Sequence, residues 1–345
     1  MILVKLNRWL KRTLFVVAIC LLAVAATGIW LWRDRAALDA IDWPAYSELA
    51  KSPNAVTATW FGVTTVLFDD GETQILIDGL FSRPTIVDLV LHRPITSDVA
   101  TINLALYEFQ IRRLAAIVPV HSHFDHAMDI GAVANRSSAS VLGSLSTAQI
   151  ARGAGVPDDQ IVAVQHGTEY SFGNFTVTLI DTRHAPIGWR GDTPIAGTID
   201  EPLTMPAPIT AWRAAETYSI VVTHPQGTTI VQGSAGFIEG ALQDVNADVV
   251  MLGVGGLAVL GRDYAEKYWQ ELVTRTGARR VLPIHFDDFT RPFGEIVLPP
   301  NVLGNFETVA GWLEEFRSGW DGDTTLHLPV FGRPIQLYVP GPPGV

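Results

Sequence analysis

The sequence predicts a mixed α/β domain carried behind one N-terminal transmembrane helix. Three observations predict it. Twenty uncharged residues, Thr13 to Trp32, separate Arg12 from Arg33. From Ala55 onward, short β-rich runs alternate with helical patterns, the mark of helices laid on sheet faces. The composition, 48% hydrophobic and 17% charged, falls below the roughly 25% charge of an average soluble domain and excludes intrinsic disorder. The 345 residues suit one large α/β domain or two modest ones. Cys20 is the single cysteine, so no intramolecular disulfide can form, and a body free of cysteine suits an oxidising compartment.

At about 1.5 Å per helical residue the uncharged stretch spans roughly 30 Å, the thickness of a hydrocarbon core. Lys5, Arg8, Lys11 and Arg12 precede it, while Arg33, Asp34 and Arg35 nearly cancel after it. The positive-inside rule then gives a cytoplasmic basic tail (1–12), a single-pass anchor in the inner membrane (13–32), a juxtamembrane segment (33–54) and an extracytoplasmic, periplasmic body (55–345). Trp30 and Trp32 fall where an interfacial aromatic belt lies. A cleaved signal peptide is the competing reading, because Ala23-Val24-Ala25 offers a small-residue cleavage pattern. The apolar stretch is longer than the roughly 7 to 15 residues such a peptide uses.

A juxtamembrane helix is expected over Arg35 to Ala50. Strands are expected at Ala55–Trp60, Thr64–Phe68 and Thr73–Ile77, with Asp69-Asp70-Gly71 as a hairpin turn. Further strands fall at Ala116–Val120, Val162–Val164, Phe175–Ile180, Tyr218–Thr223, Thr228–Val231, Val249–Leu252 and Arg280–Pro283. Helical patterns cover Asp98–Leu114, Ser146–Arg152, Phe237–Gln243, Asp263–Thr276 and Phe306–Phe316. Thr64 to Asp78 and Tyr218 to Ser234 echo one another as strand, polar turn with Gly, and strand ending at a polar residue, which suggests two related halves. Pro186 to Thr210 is rich in Pro and Gly without periodicity, and a loop of that length is usually functional or disordered. Trp189, Arg190 and Trp212, in or beside it, are candidates for a substrate lid or, equally, for anchoring the loop to the body.

Residues 1 to 35 hold six of the 24 Lys and Arg and one of the 35 Asp and Glu, leaving the rest with a net charge of −16. Such an acidic body repels phosphate backbones and excludes a nucleic-acid partner. An anionic substrate needs a local positive charge, such as a metal.

His121-Ser122-His123-Phe124-Asp125-His126 places three imidazoles and a carboxylate within six residues, just past a strand. With 9 His and 22 Asp in the chain, the chance of H-x-H-x-D-H is on the order of 10⁻³ or less. On an extended segment His121 and His123 project to one side, while Asp125 and His126 on the following turn reach a second point. Imidazole with carboxylate suits zinc or another borderline divalent ion.

On this motif the sequence resembles the metallo-β-lactamase-fold hydrolases over roughly residues 55 to 290, and within them most resembles the branch of sugar-acid lactonases and N-acylphosphatidylethanolamine phospholipases. The resemblance implies a four-layer αββα sandwich. It implies that His121 and His123 share one metal with a later histidine, best matched by His184. Asp125 and His126 would share a second with a histidine near the end of the domain, best matched by His285. Thr59-Trp60-Phe61-Gly62 and Ile75-Leu76-Ile77-Asp78 resemble the family's opening hairpin, whose final aspartate, here Asp78, buttresses the metal loop.

One departure stands out. Where the family carries an aspartate bridging both metals, this chain has Ser234, a neutral hydroxyl that cannot offset repulsion between two dications. Asp287 and Asp288 are candidate substitutes, so a compensated dinuclear centre, a mononuclear enzyme and a silent site all stay open. If the centre works, a metal-activated water is expected to hydrolyse an ester, lactone, amide or phosphodiester, with Asp125 orienting that water or accepting a proton. The competing readings are a lipid-directed phosphodiesterase at the membrane surface and a catalytically silent metal-binding or sensing domain. His224, before Pro225, reads as a surface residue. Gly253-Val254-Gly255-Gly256 lacks nucleotide-loop spacing and reads as a loop after a buried strand.

Overall fold

The computed structural model describes residues 2–44, 55–320 and 323–338, with side chains from residue 8 onward. Helix α1 (Ile2–Arg33) is apolar over Arg8–Arg33, none of whose most apolar window is buried in the fold, so by length and composition it can cross a membrane. The expected juxtamembrane helix does not form over residues 35–44, where the chain is irregular apart from a 3₁₀ turn at Leu38–Ala40. Arg35 explains the interruption, since it is drawn across to Asp288 and the Leu298 carbonyl. Residues 45–50 of that expected helix lie outside the described residues.

Two seven-stranded mixed sheets build the body. The first contains β1 (Thr57–Trp60), β2 (Val66–Asp69), β3 (Gln74–Ile77), β4 (Leu114–Val118), β5 (Ser140–Gly143) and β6 (Ile161–Ala163) in that order, with β14 (Ile335–Gln336) on the outside of β1. The second runs from β7 (Glu169–Phe172) through β8 (Phe175–Thr182), β9 (Thr217–His224), β10 (Gly227–Gln232), β11 (Val249–Gly253) and β12 (Arg280–Ile284) to β13 (Thr325–Leu326). Each sheet changes from antiparallel hairpins to parallel crossovers, at β3–β4 and at β10–β11. The sequence echo is therefore the pair of hairpins β2–β3 and β9–β10, one in each sheet.

The helices are α2 (Ile86–Val90), α3 (Val99–Glu108), α4 (Phe124–Ala127), α5 (Ile130–Ser137), α6 (Leu145–Gly153), α7 (Leu257–Leu260), α8 (Arg262–Trp269) and α9 (Phe306–Ser318). They flank the sheets, and two apolar cores result. The larger joins inward residues of both sheets, among them Val66, Ile75, Val118, Val177, Ile220, Ile230 and Met251, and extends to α8 and α9. The smaller lies on the other side of the first sheet and takes Leu76, Ile102, Ile117, Ile130 and Val133 from strands and helices α3 and α5. Strands buried on both faces read as unbroken apolar runs, as β11 does with five buried residues in succession.

Three expectations need correction. The helix expected over Phe237–Gln243 is a series of turns, because Gly240 takes φ +77°. The helix expected to Leu114 ends at Glu108, where Gln110 turns left-handed and Leu114 already starts β4. His224 is buried rather than on the surface, packed on Phe175 and 3.6 Å from Asp70.

Candidate metal centre

The site forms where strand ends of both sheets meet. β4 ends at Val118, and the chain then crosses to the other sheet, with His121 bridged to Thr217 at the start of β9 and the Tyr218 N–H donating to the Val120 carbonyl. His123 precedes α4, whose single turn presents Asp125 and His126. His184 follows β8 and His285 follows β12. His285 itself takes φ +57°, and its N–H donates to the carbonyl of Val63, another left-handed residue. Left-handed backbone at two facing non-glycine residues is the kind of local strain that accompanies functional sites.

The ligating atoms fall into two triplets, His121, His123 and His184, and Asp125, His126 and His285, each with its atoms within 4.8 Å of one another. Residues 164 positions apart in the chain are thus brought to one pocket. Nε2 of His121 and Nδ1 of His123 are 2.9 Å apart.

The opposite ring nitrogens are held by neighbours, which fixes what faces the pocket. His123 donates from Nε2 to the Pro194 carbonyl at 2.9 Å, and His184 donates from Nδ1 to the Ala185 carbonyl at 2.8 Å. His126 donates from Nδ1 to Asp78 Oδ2 at 2.7 Å. Asp78 is completely buried, and its other oxygen accepts the Val120 N–H at 2.8 Å, so one carboxylate ties the ligand turn to the strand before it. In its neutral form each of these three imidazoles turns a lone pair toward the pocket, the form a metal needs.

The electrostatics suit a cation site. Burial, followed by repulsion from His126, holds His121 well below its ordinary value, and burial with neighbouring His123 pushes His184 down to about 4. Both rings are therefore neutral donors. Burial alone would raise Asp125, yet His126 and His285 hold it below the carboxylate range. Burial alone would lower His126, but Asp78 and Asp125 raise it, because its ring lies between two carboxylates. The neutral His121 and His184 beside the ionised Asp125, with His126 favouring its charged form between two carboxylates, make a donor set suited to zinc or a similar divalent ion, whose binding displaces the His126 proton.

The remaining candidates separate. Ser234 lines the same cavity, but its Oγ accepts the Ala185 N–H at 2.8 Å and so holds the loop that carries His184. Asp287 and Asp288 line the cavity but belong to neither donor triplet. Asp287 Oδ1 accepts the Val63 N–H at 2.7 Å, latching the segment that contacts His285, and a side chain on Gly62 would collide with its other oxygen. Asp288 pairs with Arg35 at 2.7 Å and accepts from Thr290. Trp212 is not a lid: it is fully buried in the smaller core. Trp189 is 98% exposed, and neither it nor Arg190 reaches the cavity wall, which this loop supplies instead through Ile187, Pro194 and Ile195.

Two residues were not anticipated from the sequence. Asp129 is fully buried and accepts from the Phe81 and Ser82 N–H groups and the Ser82 hydroxyl, closing the loop after Asp78 around the ligand turn. Its signal was its place four residues after Asp125, one helical turn on. Trp32, at the end of α1, lines the same cavity as five of the six donor residues, His123, Asp125, His126, His184 and His285. The cavity encloses about 480 Å³ and is walled mainly by apolar side chains.

Two facing mixed sheets with paired donor triplets at their strand ends define the metallo-β-lactamase fold. Residues 58–278 match the metallo-beta-lactamase superfamily domain, and the chain belongs to that superfamily. Among curated proteins it is similar to a metal-dependent hydrolase of Myxococcus xanthus, 24% identical over 308 residues that cover 86% of this chain and 92% of that one. A metal-dependent hydrolase of Pyrobaculum aerophilum is 24% identical over 239 residues, 67% of this chain and 84% of the relative. Among solved structures, an isothiocyanate hydrolase from Delia radicum gut bacteria shares the fold with a TM-score of 0.51 at 14% identity, covering 81% of this chain and 98% of that one. The diiron beta-hydroxylase CmlA of Streptomyces venezuelae does so with a TM-score of 0.51 at 13% identity, over 83% of this chain and 55% of its own.

Proposed function

We propose that the protein is a zinc-dependent hydrolase acting on an ester, lactone, amide or phosphodiester bond. The observation that carries this is the convergence of two donor triplets whose outer ring nitrogens are already engaged by Pro194, Ala185 and Asp78. The names of the curated relatives, metal-dependent hydrolases, support the same reading. A divalent ion held there supplies a water of lowered pKa and polarises a carbonyl or phosphoryl oxygen. His121, His123 and His184 would hold the ion, and the ionised Asp125 beside them would orient the water by accepting a hydrogen bond from it. With Ser234 engaged by the His184 loop, the second triplet lacks a bridging anion and binds its ion more weakly than the first.

The test is metal analysis of the full chain with a panel of esters, lactones, amides and phosphodiesters. His121→Ala with His123→Ala is expected to abolish metal uptake at the first triplet and turnover with it, and full activity in that variant would refute the mechanism. Stoichiometric metal without turnover on any substrate would favour a silent metal-binding domain.

The second reading concerns place. Helix α1 supports a single-pass anchor with the N-terminus inside and the body extracytoplasmic, which suits either a small-molecule substrate or a lipid-directed phosphodiesterase. Protease added to intact spheroplasts is expected to digest the body, and protection of the body would reverse the topology. Turnover of detergent-dispersed phospholipid but not of soluble esters would favour the lipid substrate.

A further inference from the structure

The chain leaving α1 is fastened to the loops around the site by more contacts than a tether needs. Arg35 pairs with Asp288 at 2.7 Å, three residues after His285, and donates to the Leu298 carbonyl at 2.6 Å. The Ala36 N–H donates to Asn301 Oδ1 at 3.2 Å, and the Asn301 N–H donates to the Asp34 carbonyl at 2.8 Å. The Arg35 guanidinium also lies over the Trp32 ring, 5.8 Å from its centre, a cation–π distance. The half-buried Trp32 is thereby held as part of the wall of the cavity that contains His123, Asp125, His184 and His285. Ile86, Leu89 and Leu303 line that cavity as well. Trp30, two residues earlier, is 64% exposed and does not line it.

We infer that the end of the N-terminal helix is part of the substrate site: Trp32 is a specificity-determining residue that packs against an apolar tail of the substrate, and Arg35 is the positioning residue that holds Trp32 and the Asp288 loop together. The substrate class is accordingly an amphiphile whose hydrolysable head sits at the donor triplets and whose tail runs along the apolar wall. The head's placement rests on the metal-dependent hydrolase reading, while the tail's wall stands on the cavity alone.

The test is binding, so that it does not depend on turnover. The zinc-loaded full chain in nanodiscs is titrated with straight-chain fatty acids from butyrate to decanoate, and the ratio of variant to wild-type dissociation constant is read at each length. Side-by-side comparison in the same nanodiscs cancels partitioning of the tail into lipid. Wild-type affinity is expected to rise by up to roughly fourfold per methylene while the tail meets the wall. For Trp32→Ala the ratio is expected to stay near one for butyrate and to grow to on the order of tenfold for decanoate. Trp32→Phe restores part of the difference, and Trp30→Ala keeps the ratio flat. Arg35→Gln follows Trp32→Ala at unchanged zinc content, whereas Arg35→Lys, which keeps the ion pair, recovers part of it. A merely structural role for Arg35 would lower the folded fraction without any dependence on tail length.

A ratio for Trp32→Ala that does not change with length overturns the inference. So does a wild type that shows no length dependence or binds none of these acids. Absence of turnover with the length dependence intact would instead count against the hydrolase reading alone.

Discussion

Asp78 shows how much of the centre rests on one residue that touches no substrate. Its two oxygens have different tasks, Oδ1 accepting from Val120 and Oδ2 from His126. Asp78→Asn would keep the first and reverse the second, because an amide N–H facing His126 Nδ1 demands that this nitrogen accept. The proton then moves to Nε2, and the lone pair that faced the pocket is lost. The expected result is a roughly 10- to 100-fold weaker metal affinity at the Asp125, His126 and His285 triplet, with the His121, His123 and His184 triplet largely retained. Chelator-competition titrations that resolve two metal equivalents check this, and an equal loss at both triplets would contradict it. Ser234 contrasts with Asp78: it lines the cavity, and its hydroxyl supports the His184 loop by accepting the Ala185 N–H.

Among the elements, the segment from Pro186 to Ala214 behaves as a fixed wall. Its backbone pairs with the body at Leu203 to Gln149 and at Ala207 to Ile95, Ala196 bridges to Ala214 within the segment, and Ile199 donates to the Ser146 hydroxyl. Trp212 fastens its end in the smaller core, whereas Trp189 stands in solvent. Trp212→Ala is expected to lower stability by about 3–5 kcal/mol through the cavity it leaves. Trp189→Ala should remain within about 0.5 kcal/mol of wild type. Denaturant unfolding of both variants checks the pair, and equal values would mean that the loop is not anchored through Trp212.

The same segment marks where sequence stops being informative. The H-x-H-x-D-H run was legible because its ligands lie within six residues, and the strand ends before His184 and His285 were legible from apolar runs that stop abruptly. The two sheets follow from the repeated hairpin pattern. Strand β5 was not legible, since Ser140–Gly143 is four residues with no alternation of its own. Whether Trp212 faces core or solvent is decided by packing against distant residues, which periodicity in an irregular segment cannot carry. The Arg35–Asp288 pair, 253 residues apart, is of the same kind, and the expected juxtamembrane helix failed because that contact outweighs local helix propensity.

At the scale of the whole molecule, the two sheets are also joined at the hairpin turns by a polar cluster apart from the metal centre. Asp70, in the β2–β3 turn, accepts from the Glu72 and Thr73 N–H groups of its own turn. It also accepts from Asn174 of the β7–β8 turn and lies 3.6 Å from His224 at the end of β9. Burial alone would raise Asp70, but the hydrogen bonds from Thr73, Glu72 and Asn174, with His224 nearby, leave it below its ordinary value of 3.8. A carboxylate lowered on folding contributes stability that is fully present above its unfolded value and is lost as pH falls through the lowered native one. His224 is itself lowered from 6.5, chiefly by burial and against the pull of Asp70. The unfolded chain therefore takes up a proton first at this histidine, and stability starts to fall below about pH 6.5. Asp70→Asn removes the acid-most component and also the pull that holds His224 up. Its stability deficit relative to wild type should therefore widen as pH falls from neutral through the histidine range and shrink below about 4 as wild-type Asp70 protonates. Denaturant midpoints of the two proteins across that range measure it. A difference that stays constant down to about pH 2 would show that Asp70 carries no charge-dependent link between the halves.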